Sequence, residues 1–495
     1  MQHEGLPTAD DFHMSSDDFR AWGHRLIDWI ADYRDGIEQY PVLSTVEPGA
    51  VRAELPPAPP EHGEGFDTLV ADLERIVVPG ITHWQAPGFH AYFPANSSGP
   101  AILGDLLSSG FGVQGMLWAT SPACTEVETH MLDWMTDLCG LPKRFHSSSD
   151  GGGVIQDSAS SAALASLLAA RARAGGNDVL DRLVVYTSSQ AHSSIAKDSR
   201  IAGIRTEHVR SIDVDDQLAM RVDLLADAMA ADVAAGLIPF FVAATAGTTS
   251  TGAFDPVPAI ADVCAQYPVA SGHAVWLHLD AAYAGSAAVC PELRFVQRGV
   301  DRVDSYCFNP HKWLLTTFDC SLLFLADRAA LIEALSILPE YLRNAATESG
   351  AVIDYRDWHV PLGRRFRALK LWLVIRWYGA EGLRTFIREH VAWGREFAER
   401  IEADDRFELV APAPLSLVCF RLVDGPDGNT DAANKRNEQL LAALNATGRH
   451  YLSHTVVNGR YTLRLAIGSI ATRPQHIDAL WADIDQLVAA GAGAA

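Results

Sequence analysis

The chain has 495 residues, room for about three domains or one large domain with appendages, and its 48% hydrophobic and 20% charged residues suit a globular protein with a large core. Sixty-one acidic side chains against 39 basic ones give a net charge of -22, which excludes nucleic acid and anionic membrane surfaces as partners because both would be repelled. No apolar stretch reaches the ~20 residues of a spanning helix, the N-terminus lacks a basic start and an apolar signal core, and seven scattered cysteines form no CxxC pair, so a reducing, cytoplasmic setting without a disulfide scaffold or a metal site is expected.

In chain order, the first predicted element is a helix over 15–33. Phe19, Trp22, Leu26, Trp29, Ile30 and Tyr33 share one stripe, and Ser15 with Asp18 three residues later gives a capping-box start. Residues 41–66, rich in Pro and Glu, read as an extended linker. A helix followed by such a linker cannot bury its own stripe, so a partner subunit is expected to cover it. From about residue 86 to 385 short β-rich runs alternate with helices. The strand candidates are 183–189, 240–247, 275–280 and 321–327, each nearly all apolar, as parallel strands buried on both faces are. Helical patterns cover 160–174 and 257–267. This is an α/β pattern whose ligands belong beyond the carboxyl ends of the strands. The last hundred or so residues change character. FELVA, LSLVCFRLV, HYLSHTVV and YTLRLAI read as antiparallel strands, with helices near 430–446 and 475–489. The division expected is an arm over 1–85, a large domain over 86–385 and a small α+β domain over 386–495.

Several segments could carry chemistry. In DGGGVIQDSASSAAL a glycine run leads to Ser158 and Ser160 at a helix start, either a phosphate cup of free amides and hydroxyls or a plain glycine loop with a serine cap. Asp280 closes an apolar strand, where a carboxylate needs a cation or donors, unless it only caps the next helix. Lys312 follows an apolar strand-like run and is flanked by Trp313, Leu314 and Leu315. Desolvation there would lower its pKa and make it a usable nucleophile, whereas most lysines simply snorkel. His192 lies just past another strand, where it could stack on an aromatic ring, move protons or serve structure alone. All of these fall at strand–helix junctions.

The motifs THWQAPGFHAYFPA, WATSPACTEVET, SSQAHSS, AGTTSTGAFD, WLHLDAAYAGSA, FNPHKWLL and PLGRRFRALKLW run in order through the chain. On them the chain resembles the pyridoxal-phosphate-dependent aromatic-L-amino-acid decarboxylases of the group II family. The resemblance implies fold type I: a mostly parallel seven-stranded sheet with helices on both faces, an N-terminal helical arm and a small C-terminal α+β domain. It also implies a homodimer with shared active sites, and decarboxylation to an arylalkylamine through an external aldimine and a quinonoid. Carried over by position, Lys312 holds pyridoxal 5'-phosphate, Asp280 pairs with its ring nitrogen and His192 stacks on the ring. Ala159, Ser160 and Asn309 hold the phosphate, with Thr249 and His311 beside the cofactor. Tyr341, in a polar, aperiodic segment that reads as a lid, matches a loop tyrosine and is the candidate proton donor, with His192 beside it. Trp84, Tyr92, Phe93, Pro94, Ala95, Met116, Phe318 and Gly363 match substrate-pocket positions. Gly363 leaves room for a large ring, which favours indole and catechol over imidazole, while Ala95 replaces a threonine that reaches ring hydroxyls in animal relatives. Asp157 and Ser161 depart from the animal pattern beside the phosphate cup. The alternatives are an aromatic aldehyde synthase on the same scaffold, disfavoured because His192 and Tyr341 are both retained, and another class of pyridoxal-phosphate enzyme such as an aminotransferase. A Ser/His hydrolase is disfavoured because no GxSxG elbow is present.

Overall fold

The computed structural model describes residues 13–337, 352–423 and 429–491. The first helix, Ser16–Asp35, starts at Ser15, whose hydroxyl accepts the Asp18 N–H at 3.0 Å. None of its residues is buried, and Phe19 is 64% exposed. The stretch read as a linker is irregular, with bends and turns, apart from a short helix, Ala50–Glu54.

The main body is a seven-stranded sheet. Its strands are β1 (Gly152–Gln156), β2 (Leu183–Ser188), β3 (Val209–Ile212), β4 (Ile238–Thr245), β5 (Trp276–Asp280), β6 (Ser305–Phe308) and β7 (Ser321–Leu325), in the order β1-β7-β6-β5-β4-β2-β3. The pairs from β3 through β6 are parallel. The apolar run at 321–327 does not follow the parallel expectation: β7 pairs antiparallel with both β6 and β1. Its residues are all buried, and a two-faced apolar strand reads the same in either direction. β1 arises from the glycine run itself. A Cβ on Gly151 would lie 2.0 Å from the Arg144 carbonyl oxygen, and one on Gly153 2.9 Å from Leu132. The glycines are therefore there for close packing against their neighbours.

The helix Ala159–Arg173 follows β1 and packs across the sheet through Ala162, Ala163, Ala165, Leu167, Ala169 and Ala170. The second sheet is antiparallel throughout: β8 (Phe407–Leu409), β9 (Leu417–Leu422), β10 (Ser453–Val457) and β11 (Arg460–Ala466), ordered β10-β11-β9-β8. It is covered by the helices Thr430–Ala446 and Pro474–Ala489, with its own apolar cluster around Phe397, Phe420, Leu440, Leu463 and Leu480. One long helix, Arg367–Glu402, broken at Gly379 (φ 63°), runs between the two cores. It gives Leu371, Val374 and Leu383 to the large core, and Phe397, Ala398 and Ile401 to the small one.

Candidate active site

Parallel register sets the site. At the carboxyl end of the sheet Thr245 of β4 lies opposite Asp280 of β5, and Asp280 lies opposite Cys307 of β6. Asp280 is buried, and its Oδ1 accepts the Ala282 N–H at 2.9 Å. After β6 the chain turns at Asn309 into the short helix Pro310–Trp313. The Lys312 N–H donates to the Asn309 carbonyl at 2.9 Å, and the Asn96 amide donates to the Lys312 carbonyl at 2.6 Å. This fixes the lysine backbone, and Nζ stands 5.2 Å from the centre of the Phe93 ring. Burial pulls the Lys312 pKa below the ordinary lysine range, while Asp280 and Cys307 oppose the shift and Arg464 adds to it.

His192 follows β2. Its Nδ1 accepts the Ser194 N–H at 3.2 Å and lies 2.9 Å from the Ser194 hydroxyl. A backbone N–H can only donate, so Nδ1 is bare and the ring proton sits on Nε2. Burial lowers the His192 pKa, with Asp280 opposing and Lys312 reinforcing the shift. The ring is therefore neutral at pH 7 and carries one donor. The buried His311 ring is held by the Cys320 N–H, which donates to Nδ1 at 2.9 Å, and burial lowers its pKa to about 3.

Ser158 caps the helix Ala159–Arg173 by accepting the Ser161 N–H at 3.1 Å. That leaves the Ala159 and Ser160 amides at the helix N-terminus, the arrangement that attracts anions. Ser321 donates to Asn309 Oδ1 at 2.7 Å, so the amide NH2 of Asn309 remains a donor at the same rim. Asp157 is exposed and lines neither chamber described below, and its Oδ1 accepts the Ser158 hydroxyl at 3.4 Å.

Two adjoining chambers result. The inner one, about 200 Å³, is lined by Ser158, Ala159, Ser160, His192, Thr249, Asp280, Asn309, His311 and Lys312. The outer one, about 480 Å³, is walled by Trp84, Tyr92, Phe93, Pro94, Ala95 and Phe318, and shares His192, Thr249, His311 and Lys312 with the inner one. Met116 and Gly363 line neither chamber. They sit together elsewhere: the Gly115 N–H donates to the Arg364 carbonyl at 3.1 Å, and the Arg364 N–H to Gln114 Oε1 at 2.8 Å. Tyr341 lies outside the described residues.

A model of the pyridoxal-dependent decarboxylase conserved domain matches residues 48–423. The chain belongs to the pyridoxal-dependent decarboxylase family. It is 46% identical to a phenylacetaldehyde synthase of Arabidopsis thaliana, over 96% of each protein. Tryptophan decarboxylase 2 of rice is 45% identical over 94% of each. The crystal structure of Oryza sativa TDC with PLP and tryptamine superposes with a TM-score of 0.93 at 42% identity, covering 96% of this chain and 99% of that one. The architecture is that of the fold type I decarboxylases, and the cofactor of this decarboxylase is pyridoxal phosphate.

The inner chamber suits that cofactor by the chemistry of its donors. Its lining offers amides and hydroxyls for an anion, a carboxylate for a protonated ring nitrogen, and an amine to attach the cofactor. Sequence reading missed several lining residues of this decarboxylase: Ser194, Thr245, Gly247, Ala282 and Tyr283. It also missed Arg464, which donates to the Thr249 carbonyl at 2.6 Å, the Ser250 carbonyl at 2.9 Å, Ser453 Oγ at 2.6 Å and the Tyr92 carbonyl at 3.3 Å. Ser194 and Tyr283 were legible as neighbours of His192 and Asp280. Arg464 was not, because it reaches the site from a strand of the other sheet.

Proposed function

We propose that this decarboxylase converts aromatic L-amino acids to arylalkylamines and CO2, as a cytoplasmic homodimer with shared active sites. The observation that carries the reading is the pairing of the two chambers. A buried amine and carboxylate occupy the inner one, and the outer one is walled by aromatic and apolar side chains. No carboxylate stands among the described residues lining the outer chamber. An aromatic side chain suits such a wall, and a basic one would find no carboxylate to pair with.

When bound, pyridoxal phosphate supplies the electron sink for cleavage of the Cα–carboxylate bond. The chain does the rest. Lys312, with its pKa lowered by burial, is the amine that attaches the cofactor. Asp280 holds a proton on the ring nitrogen. Ala159 and Ser160 would give backbone amides, Ser160 its hydroxyl and Asn309 its NH2 to the phosphate, with Thr249 and His311 beside the cofactor. His192 would stack on the ring, with its Nε2 proton as the free donor. Tyr341, together with His192, is the proposed proton donor to Cα. The aromatic and apolar wall of Trp84, Tyr92, Phe93, Pro94, Ala95 and Phe318 orients the substrate ring and excludes water.

The dimer reading rests on uncovered apolar surface. On the helix Gly99–Phe111, Ala101 and Gly104 are buried while Leu103, Leu106, Leu107 and Phe111 are exposed. Val113, Val360 and Leu362 extend this surface beside Met116 and Gly363. A partner covering it would receive Met116 and Gly363 at its own outer chamber, which explains why they line none here.

A panel of tryptophan, phenylalanine, tyrosine and their hydroxylated forms, assayed for amine, aldehyde, hydrogen peroxide and ammonia, tests the proposal. Amine with CO2 is expected. Mainly aldehyde with peroxide and ammonia would make the protein an aldehyde synthase, a reading kept in play by the 46% identity to a phenylacetaldehyde synthase. Turnover of none of these substrates would overturn both.

A further inference from the structure

Behind Asp280, on the side away from the chambers, β5 and β6 carry a buried polar row that the proposed function does not use. Trp276, His278 and Asp280 alternate along one face of β5, and Ser305 and Cys307 stand opposite His278 and Asp280 on β6. All but Asp280 are essentially inaccessible. The contacts run in sequence. Trp276 Nε1 lies 2.8 Å from Ser305 Oγ, Ser305 Oγ 2.8 Å from His278 Nδ1, His278 Nε2 3.7 Å from Cys307 Sγ, and Cys307 Sγ 3.8 Å from Asp280 Oδ1.

The two ends fix the direction of every bond. An indole N–H only donates, and an ionised carboxylate only accepts. Cys307 must therefore give its S–H to Asp280, its sulfur must accept the Nε2–H of His278, and the bare Nδ1 must accept the Ser305 hydroxyl proton. The protonation states agree. Burial lowers the His278 pKa to about 4, so its ring is neutral. Burial with Asp280 alongside holds the Cys307 thiol well above its ordinary range, so the S–H is kept. Oδ1 of Asp280 then takes two donors, the Ala282 N–H and the Cys307 S–H. Among the described residues no hydrogen bond falls on Oδ2.

We infer that Trp276, Ser305, His278 and Cys307 form a one-way hydrogen-bond relay that positions Asp280 and holds it as an anion, leaving Oδ2 for the cofactor ring nitrogen. The inference rests on the proposed role of Asp280. These are positioning residues, since none of them reaches the chambers. Hydrogen bonds in series polarise one another, and a donor on Oδ1 keeps the shared proton on the ring nitrogen instead of on the carboxylate. An apolar residue at position 307 would leave His278 without an acceptor and Oδ1 with one donor fewer.

The test uses full-length protein reconstituted with pyridoxal phosphate labelled at its ring nitrogen. Cofactor affinity is read from the absorbance of the bound form, and ring-nitrogen protonation from its NMR shift. Cys307→Ala should weaken cofactor binding about fivefold and move the shift toward the unprotonated value. Cys307→Ser, which keeps a donor, should recover most of both. Trp276→Phe, which removes only the far end of the relay, should move both in the same direction but less, and it keeps the test alive if the alanine variant fails to fold. Asp280→Asn serves as the control and should move both furthest. If Asp280→Asn moves both while Cys307→Ala and Trp276→Phe move neither, the relay is wrong and the Asp280 assignment stands. If Asp280→Asn itself moves neither, the Asp280 assignment has failed.

Discussion

In the large sheet, β2, β5 and β6 are buried along their whole length, yet their carboxyl ends carry Asp280, His192, Asn309 and Lys312 within a few residues. In the small sheet β10 alternates between exposed and partly covered positions. There the fully buried charge, Arg421 of β9, is met by Glu408 at 3.0 Å, and Arg460 joins the same carboxylate. One sheet leaves ionisable groups underpaired where a ligand can complete them, and the other pairs them off. A buried charge that the protein itself neutralises is structural, and one that waits for a partner is functional.

The strongest test of that contrast is Lys312→Ala. Turnover should fall by at least about a thousandfold while the circular dichroism spectrum is retained, and the visible band of the bound cofactor should be lost. A variant with near-normal turnover would remove the central group from the functional side of the comparison. His192→Ala comes next. It removes a neutral ring whose proton sits on Nε2, and kcat should fall about a hundredfold while cofactor is still bound. Loss of cofactor with no change in kcat for the bound fraction would show that the ring only packs.

Arg464 blurs the contrast, since it belongs to β11 of the small sheet but ties the Tyr92 and Thr249 walls together. Arg464→Met should raise KM about tenfold, because charge-assisted bonds to three carbonyls are lost, with a smaller effect on kcat. The positive charge also depresses the Lys312 pKa, so in the cofactor-free protein the reactivity of that lysine toward acylating reagents should fall at fixed pH. A change in stability without any change in KM or lysine reactivity would return Arg464 to the structural side.

What the sequence disclosed follows the same division. Strand ends with polar residues out of place in apolar runs, such as Asp280 after WLHL, stood out because burial makes such residues costly. The antiparallel turn of β7 was hidden, because a strand buried on both faces carries no record of its direction. β1 was hidden as well, because glycines that look like a loop serve there to let backbones approach. Period two along β5 already placed Trp276, His278 and Asp280 on one face. Only the β5–β6 register could set Cys307 beside Asp280, and register between distant segments is not written in either one. Met116 and Gly363 came from resemblance alone, and neither lines the cavity of its own chain.

Asp198 gives the smallest predicted effect and the finest distinction. It lies in the helix Ser194–Ile201 just beyond β2, is 3% exposed, and its Oδ2 has no hydrogen-bond partner among the described residues. Unlike Arg421 it is an unpaired buried charge, but it lines neither chamber. Burial raises its pKa to about 7, with Asp280 adding to the shift and Lys197 opposing it. Below the ordinary value of 3.8 the carboxyl is protonated in the folded and unfolded chain alike, and folding bears no penalty. Between there and about 7 the unfolded chain ionises first, so stability is lost as pH rises, and above about 7 the loss is complete. Asp198→Asn keeps the shape without the charge. It should raise Tm by roughly 2 °C at pH 8, with the gain shrinking as pH falls toward 4 and kcat unchanged. A gain independent of pH would mean that ionisation is not the cause. A loss of activity would mean that this underpaired carboxylate, like Asp280, belongs to the site.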